Sequence, residues 1–187
     1  MKHIATVTLM LTFGAAAIYA DPGLVNMKLS GSATRSTISL GGTPASEHTL
    51  AGTGTLGAFT FRVLSTNMTS PQSSSTCSGP TKMYFPVVAG AGVFGSPDGG
   101  LLNLNLTGGG DCIDFAAGNA LCTRIFQVNG GTGRYAHAAG TLTLTMTVAP
   151  VLADGGPPNF VFFAVTGDVT GNLSGVTAGQ GSQDGQP

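Results

Sequence analysis

Arg134, Tyr135 and His137 stand close together in the stretch NGGTGRYAHAAG, residues 129–140. Within it, Gly131-Thr132-Gly133-Arg134-Tyr135-Ala136 fits G-x-G-x-x-G/A, the fingerprint of a dinucleotide-binding turn, and it follows a strand-like run from Thr123 to Val128. That fingerprint works only where the turn opens a helix, whose N-terminal amides and dipole hold a pyrophosphate. Here the turn runs into Gly140-Thr141-Leu142-Thr143-Leu144, which is β-branched and alternating. Asp154 has the downstream spacing of a ribose ligand, but it sits in an Asp-Gly-Gly-Pro-Pro turn. No β-α-β unit surrounds the motif, so no cofactor is expected. The glycines read instead as a strand–turn–strand corner that uses positive φ.

The remaining side chains of that turn carry chemistry of their own. Arg134, Tyr135 and His137 at the rim of a β-structure suit an anionic or phenolic ligand. The alternative is that Arg134 pairs with a carboxylate, Tyr135 caps the core and His137 is a solvated turn residue. Asp168 lies on the polar side of an alternating strand. Facing inward it would be a buried carboxylate with a raised pKa, an acid/base candidate; facing outward, the favoured orientation, it is solvated. Glu47 and His48 are adjacent, and neighbours on a strand point to opposite faces, which separates them. Asp111 and Asp114 flank Cys112 but lack the Asp-x-Asp-x-Asp-Gly pattern of a calcium loop. No Cys/His spacing suits zinc, so no metal is expected. No G-x-S-x-G elbow or paired carboxylates supply a catalytic residue.

The elements that must position these residues have a period of two. Leu142, Leu144, Met146 and Val148 alternate with Thr141, Thr143, Thr145 and Thr147. Val161, Phe163, Val165 and Val169 share one face, with Thr166, Asp168 and Thr170 opposite. Phe59, Phe61 and Val63 alternate with Thr60 and Arg62, as do Leu102, Leu104 and Leu106 with asparagines, and Val25, Met27 and Leu29 with polar residues. Strands with one apolar and one polar face belong to antiparallel sheets wetted on one side. Pro97-Asp98-Gly99 predicts a hairpin joining 83–94 to 101–107. Pro86 must sit at an edge, at a strand start or beside a bulge. A short helical turn is conceivable at Ile113–Asn119, and 65–81 reads as a polar loop. The pattern gives seven or eight strands, closed as an antiparallel barrel or folded as a two-sheet β-sandwich.

Composition narrows the setting. Only 8% of residues are charged, where roughly a quarter is usual. There is no basic stripe for nucleic acid and no polybasic patch for anionic lipid. Lys2, His3 and the apolar run Ile4–Ala17 resemble a secretory leader, cut after Ala20 or, alternatively, after Ala17. This predicts a leader at 1–20, a single domain at 21–176 and a mobile tail at 177–187, secreted or otherwise extracytoplasmic, without membrane insertion after cleavage. Export favours one disulfide among Cys77, Cys112 and Cys122. Cys112–Cys122, which closes the shortest loop, is the expected pair.

GGTGRYAHAAG at 130–140 and GTGTLGAFTF at 52–61 resemble paired signatures of bacterial secreted proteins similar to the allene-oxide-cyclase and dirigent barrels. The resemblance runs in order and spacing over roughly 24–176 and implies an eight-stranded antiparallel barrel. Its motifs are rich in glycine and threonine, and the cyclase's catalytic residues have no counterpart motif here.

Three classes of function follow. The first is a binding module for a small apolar or aromatic ligand, or a stable extracytoplasmic domain. The second is a structural or adhesive surface protein. The third is an isomerase or cyclase acting on a hydrophobic substrate. The state of the barrel interior separates them: binders and cyclases need an open cavity with converging polar groups, whereas a structural domain fills it.

Overall fold

The computed structural model describes residues 23–154 and 159–177. The expected leader and most of the expected tail lie outside the described residues. Eight strands follow in order: β1 Gly23–Leu40, β2 Thr43–Gly54, β3 Phe59–Asn67, β4 Lys82–Gly95, β5 Leu101–Asp114, β6 Asn119–Gly131, β7 Ala139–Ala153 and β8 Phe160–Ser174. Each pairs antiparallel with its neighbour in sequence, and β1 pairs with β8 to close the barrel. Of the two architectures that the strand count allowed, the closed barrel is the observed fold and the two-sheet sandwich is not. None of the described helices is long and apolar enough to cross a membrane.

Alternation decides what fills the barrel. Met27, Phe61, Phe94, Leu102, Leu104, Phe126, Leu142, Leu144 and Met146 are all at most 2% exposed. Phe61 and Phe126 meet edge to face at 5.7 Å, and Phe59 stacks on Phe94 at 4.6 Å. An eight-stranded barrel has an interior just wide enough for such side chains. Phe163, expected in the filling, is half-buried and packs against its margin.

Local departures have physical causes. Pro86 lies inside β4, and the β3–β4 register shifts beside it, between Thr66 and Asn67. A proline cannot donate to the ladder, and a bulge absorbs that loss. The polar stretch expected to be a loop from Ser65 onward is still strand through Asn67, with Ser65 and Thr66 buried. Partners explain this: Thr66 Oγ1 donates to the Pro44 carbonyl at 3.1 Å, and Ser65 Oγ receives a guanidinium from across the barrel. Residues 115–118 form a turn rather than a helix, capped by Asp114, whose carboxylate accepts the amides of Ala116 and Ala117. Val176 packs on the core, and the Thr177 amide donates to the Arg134 carbonyl at 3.0 Å.

The disulfide is Cys77–Cys112, not the expected Cys112–Cys122. The ladder explains the correction. In the β5–β6 hairpin Cys122 stands opposite Asp111, while Cys112 stands opposite Leu121. Opposed residues share a face and neighbours along a strand do not. Cys122 therefore points into the barrel, where it is 3% exposed, and Cys112 shares the outer face with the exposed Leu121. The barrel wall separates the two sulfurs. Cys112 instead pins the 68–81 connection to β5.

The disulfide spans a sequence separation of 35, which sets its effect on the unfolded chain. Cys77→Ser or Cys112→Ser is expected to lower unfolding stability by about 3–4 kcal/mol. Non-reducing peptide mapping of Cys122→Ser will recover the 77–112 linkage. A 112–122 peptide from the unaltered protein would contradict the register.

Candidate functional site

The β2–β3, β4–β5 and β6–β7 turns gather at one end of the barrel, and the glycine motif lies there. After β6, Gly130 (φ 70°) and Gly133 (φ 57°) turn the chain into a single 3-10 turn, Gly133–Tyr135, and then into β7. No long helix follows, so the dinucleotide reading has no scaffold. Tyr135 is fully buried and meets Phe94 edge-on at 6.1 Å. Arg134 lays its guanidinium 4.9 Å from the Tyr135 ring centre and donates from Nη2 to the Leu56 carbonyl at 2.8 Å. Arg134 Nε and Tyr135 OH are buried without hydrogen-bond partners among the described residues. The ring face gives the cation a neighbour that replaces an acceptor. Nearby Asp98 is held below its usual carboxylate range, first by the Ser96 hydroxyl, then by the Gly100 amide.

The structure thus brings Arg134 and Tyr135 together, with the Tyr135 ring buried at that end of the barrel. His137 is exposed two residues further along the same turn. Asp168 is elsewhere: it sits on the outer wall of β8, as favoured, and accepts Lys28 Nζ of β1 at 2.8 Å.

Sequence reasoning missed the polar groups inside the barrel. Arg124 of β6 is 1% exposed and points inward. Its Nη1 and Nη2 donate to Asp111 Oδ1 and Oδ2 at 2.5 and 3.1 Å, and its Nε reaches Ser65 Oγ on β3 at 3.3 Å. Burial works most strongly against the guanidinium charge, but the Asp111 carboxylate, with smaller help from Cys122 and Tyr84, outweighs it and raises the pKa. His48 is 3% exposed, and its Nδ1 has no partner among the described residues. Burial first, then the Arg124 charge, lower its pKa to about 4. The Cys122 thiol is pushed well above its usual value by burial and by Asp111. It is therefore protonated and a poor nucleophile. Glu47, next to His48, faces outward and pairs with Arg62 instead.

These groups mostly satisfy one another. Asp111 is committed to Arg124 and Asp114 to its turn, so the two carboxylates flanking Cys112 do not converge. Among the described residues no cluster of three His, Cys, Asp or Glu side chains could hold a metal ion. The parity of Arg124 was the readable signal. It alternates in step with Cys122, Phe126 and Val128, a charged residue in an apolar row.

Open space lies on the outer wall. A groove of about 560 Å³ runs over β2, β3 and β4, lined by Ile38, Val63, Leu64, Ala91, Gly92 and Val93, with the Glu47–Arg62 ion pair within it. Leu64 stands opposite both Glu47 and Ala91, and Arg62 stands opposite Val93, so one outward row from three strands forms the floor. A second hollow, of about 370 Å³, lies over β7, β8 and β1. Comparison of the chain with protein-family models, curated proteins and solved structures gives no match in any of the three.

Two outcomes test the interior cluster. His48 has a folded pKa of about 4 against 6.5 for the free side chain, so its contribution to stability is complete above pH 6.5 and declines as pH falls toward 4. The loss amounts to about 3 kcal/mol, read as the difference between the unaltered protein and His48→Leu in urea titrations across that range. Arg124→Met strands the Asp111 charge and is expected to cost about 3 kcal/mol, most of it recovered in Arg124→Met/Asp111→Leu.

Proposed function

We propose that this chain is an extracytoplasmic binding module that takes a small apolar or aromatic ligand on its outer wall, not in its lumen. The observation that carries this reading is the groove of about 560 Å³ under Ile38, apolar on its floor and charged at one point. Its volume falls within the roughly 300–1,000 Å³ of small-molecule sites, and such sites combine apolar walls with a few polar groups. Leu64, Ala91 and Val93 offer the apolar contact. The Glu47–Arg62 pair offers both a donor and an acceptor for a polar substituent.

The filled lumen supports moving the ligand outward. A cyclase or isomerase needs polar groups converging on an open interior, whereas Arg124, Asp111 and Ser65 converge on one another. Arg134 and Tyr135 serve this reading as the plug at the mouth. The Cys77–Cys112 disulfide supports a location outside the reducing cytosol. A small charged fraction and the absence of a basic stripe argue against nucleic acid as partner.

The probe 1-anilinonaphthalene-8-sulfonate joins an aromatic body to one anionic group and suits the groove. Fluorescence titration is expected to show one saturable site. Ala91→Phe fills the floor and should weaken binding about tenfold or more through overlap with the ligand, with an unchanged melting temperature. Equal binding to the folded Ala91→Phe variant, or no saturable site in the unaltered protein, would refute the proposal.

A further inference from the structure

The second hollow has the opposite chemistry and lies on a different part of the wall. We propose that it is a saccharide site, a trough over β7, β8 and β1 that takes a neutral, linear glycan chain; this goes beyond the apolar-ligand reading and does not depend on it. Its sides are Lys28, Leu121, Thr145, Thr147, Thr166 and Asp168. The ladder sets them side by side. Thr147 stands opposite Thr166 on one side and Leu121 on the other, Thr145 stands opposite Asp168, and Asp168 stands opposite Lys28. Adjacent strands place such groups about 4.8 Å apart.

The hydroxyls of this trough are on offer. On other parts of the wall a threonine hydroxyl is often consumed by a backbone carbonyl, as in Thr34 to Val161 and Thr107 to Ile125, both at 3.1 Å. Thr145, Thr147 and Thr166 make no such bond to another described residue. Each therefore presents a donor, two acceptor lone pairs and a methyl group to whatever lies in the trough. Beneath the trough Gly167 stands opposite Met146 and Leu29 on the inner face, and its lack of a side chain lets β7 and β8 approach closely there. A Cβ there would stand 2.2 Å from the Thr145 carbonyl oxygen.

Charge selects the ligand class. Lys28 and Asp168 neutralise each other at 2.8 Å, their side chains 83% and 48% exposed, so an ionic ligand gains little net attraction. The pair still provides ammonium donors and the second carboxylate oxygen as acceptor. Several hydroxyl-sized partners, both donor and acceptor, beside the methyl groups and Leu121 match a sugar ring, with its hydroxyl rim and C–H faces. The volume of about 370 Å³ suits a small molecule, but the polar row does not end there. Thr143 and Thr141 continue it along β7, opposite Thr170 and Asn172 of β8. From Thr147 to Thr141 the row is about 20 Å long, which favours a chain over a single sugar.

The test is amide chemical-shift mapping with maltohexaose, cellohexaose and chitohexaose, and with the matching disaccharides. At least one series should shift the amides of Thr143–Thr147 and Thr166–Asp168, and the hexamer should bind more tightly than the dimer. Thr145→Val/Thr166→Val keeps β-branched shape while removing two hydroxyls, and it should weaken that binding about tenfold or more at unchanged melting temperature. Asp168→Asn should also weaken it. The proposal is overturned by the absence of shifts with all three hexamers at millimolar concentration, by shifts that map to Leu64 and Ala91 instead, or by unchanged binding in the folded double variant.

Discussion

The ladder between β1 and β8, unbroken from Gly23↔Leu173 to Thr34↔Phe162, is the contact on which every other feature depends. It joins the first strand to the last and removes both sheet edges, which would otherwise be templates for further pairing. Closure also gives each strand residue one of two fates, lumen or wall. With eight strands the lumen is just wide enough for side chains to fill or for one small ligand. The phenylalanines, leucines and methionines occupy it.

One end of that lumen is polar, and the reason it can be so lies in pairing. A buried guanidinium is costly unless it is paired and its remaining donors are bound. Arg124 is paired and four of its five N–H donors are bound: two to Asp111, one to Ser65 and one from Nη1 to the Thr123 carbonyl at 3.0 Å. The bond to Ser65 crosses from β6 to β3, tying together strands that share no ladder. His48 beside it is neutral because the same burial and the same positive charge oppose protonation. The Arg124–Asp111–Ser65 bonds make the cluster a strut that holds the wall.

Much of this was legible in the residues, for a reason that also marks the limit. Period two is a local property, so Thr141–Val148, Phe59–Val63 and the Pro97-Asp98-Gly99 hairpin could be assigned from sequence alone, and with them the antiparallel all-β class. Closure into a barrel rather than a sandwich depends on the β1–β8 pairing, which alternation does not encode. The outward orientation of Asp168 followed from the same alternation. The disulfide did not, because it depends on register: a shift of one residue in the β5–β6 pairing moves Cys112 to the face of Cys122. The interior cluster escaped for a different reason. His48 and Arg124 lie in strands whose apolar neighbours define the inner face, but their partners, Asp111 and Ser65, come from other strands, and only the closed barrel brings them together. The groove under Ile38 was hidden because Leu64, Ala91 and Val93 are apolar at polar-face positions, which by themselves resemble noise in the pattern.

Those exceptions to alternation locate the wall's two chemistries. On β2–β4 the outward row changes from threonine to leucine, alanine and valine, and an apolar groove results. On β7 and β8 the outward row remains threonine, interrupted by the neutralised Asp168, and a hydroxyl-lined trough results. Neither region was needed for closure, since outward side chains do not meet inside the barrel. The inner face is constrained by packing volume and by the cost of burying Arg124, so it offers little latitude for change. The outer face is constrained mainly by solubility and β-propensity, which threonine and valine satisfy alike. A chain with few charges must keep its wall wetted by hydroxyl and amide groups, and the apolar groove departs from that requirement. A departure from the polar pattern on a face that packing leaves free stands out more sharply than the residues of the Gly-rich turn, whose Tyr135 packs on Phe94 and whose Arg134 donates to the Leu56 carbonyl.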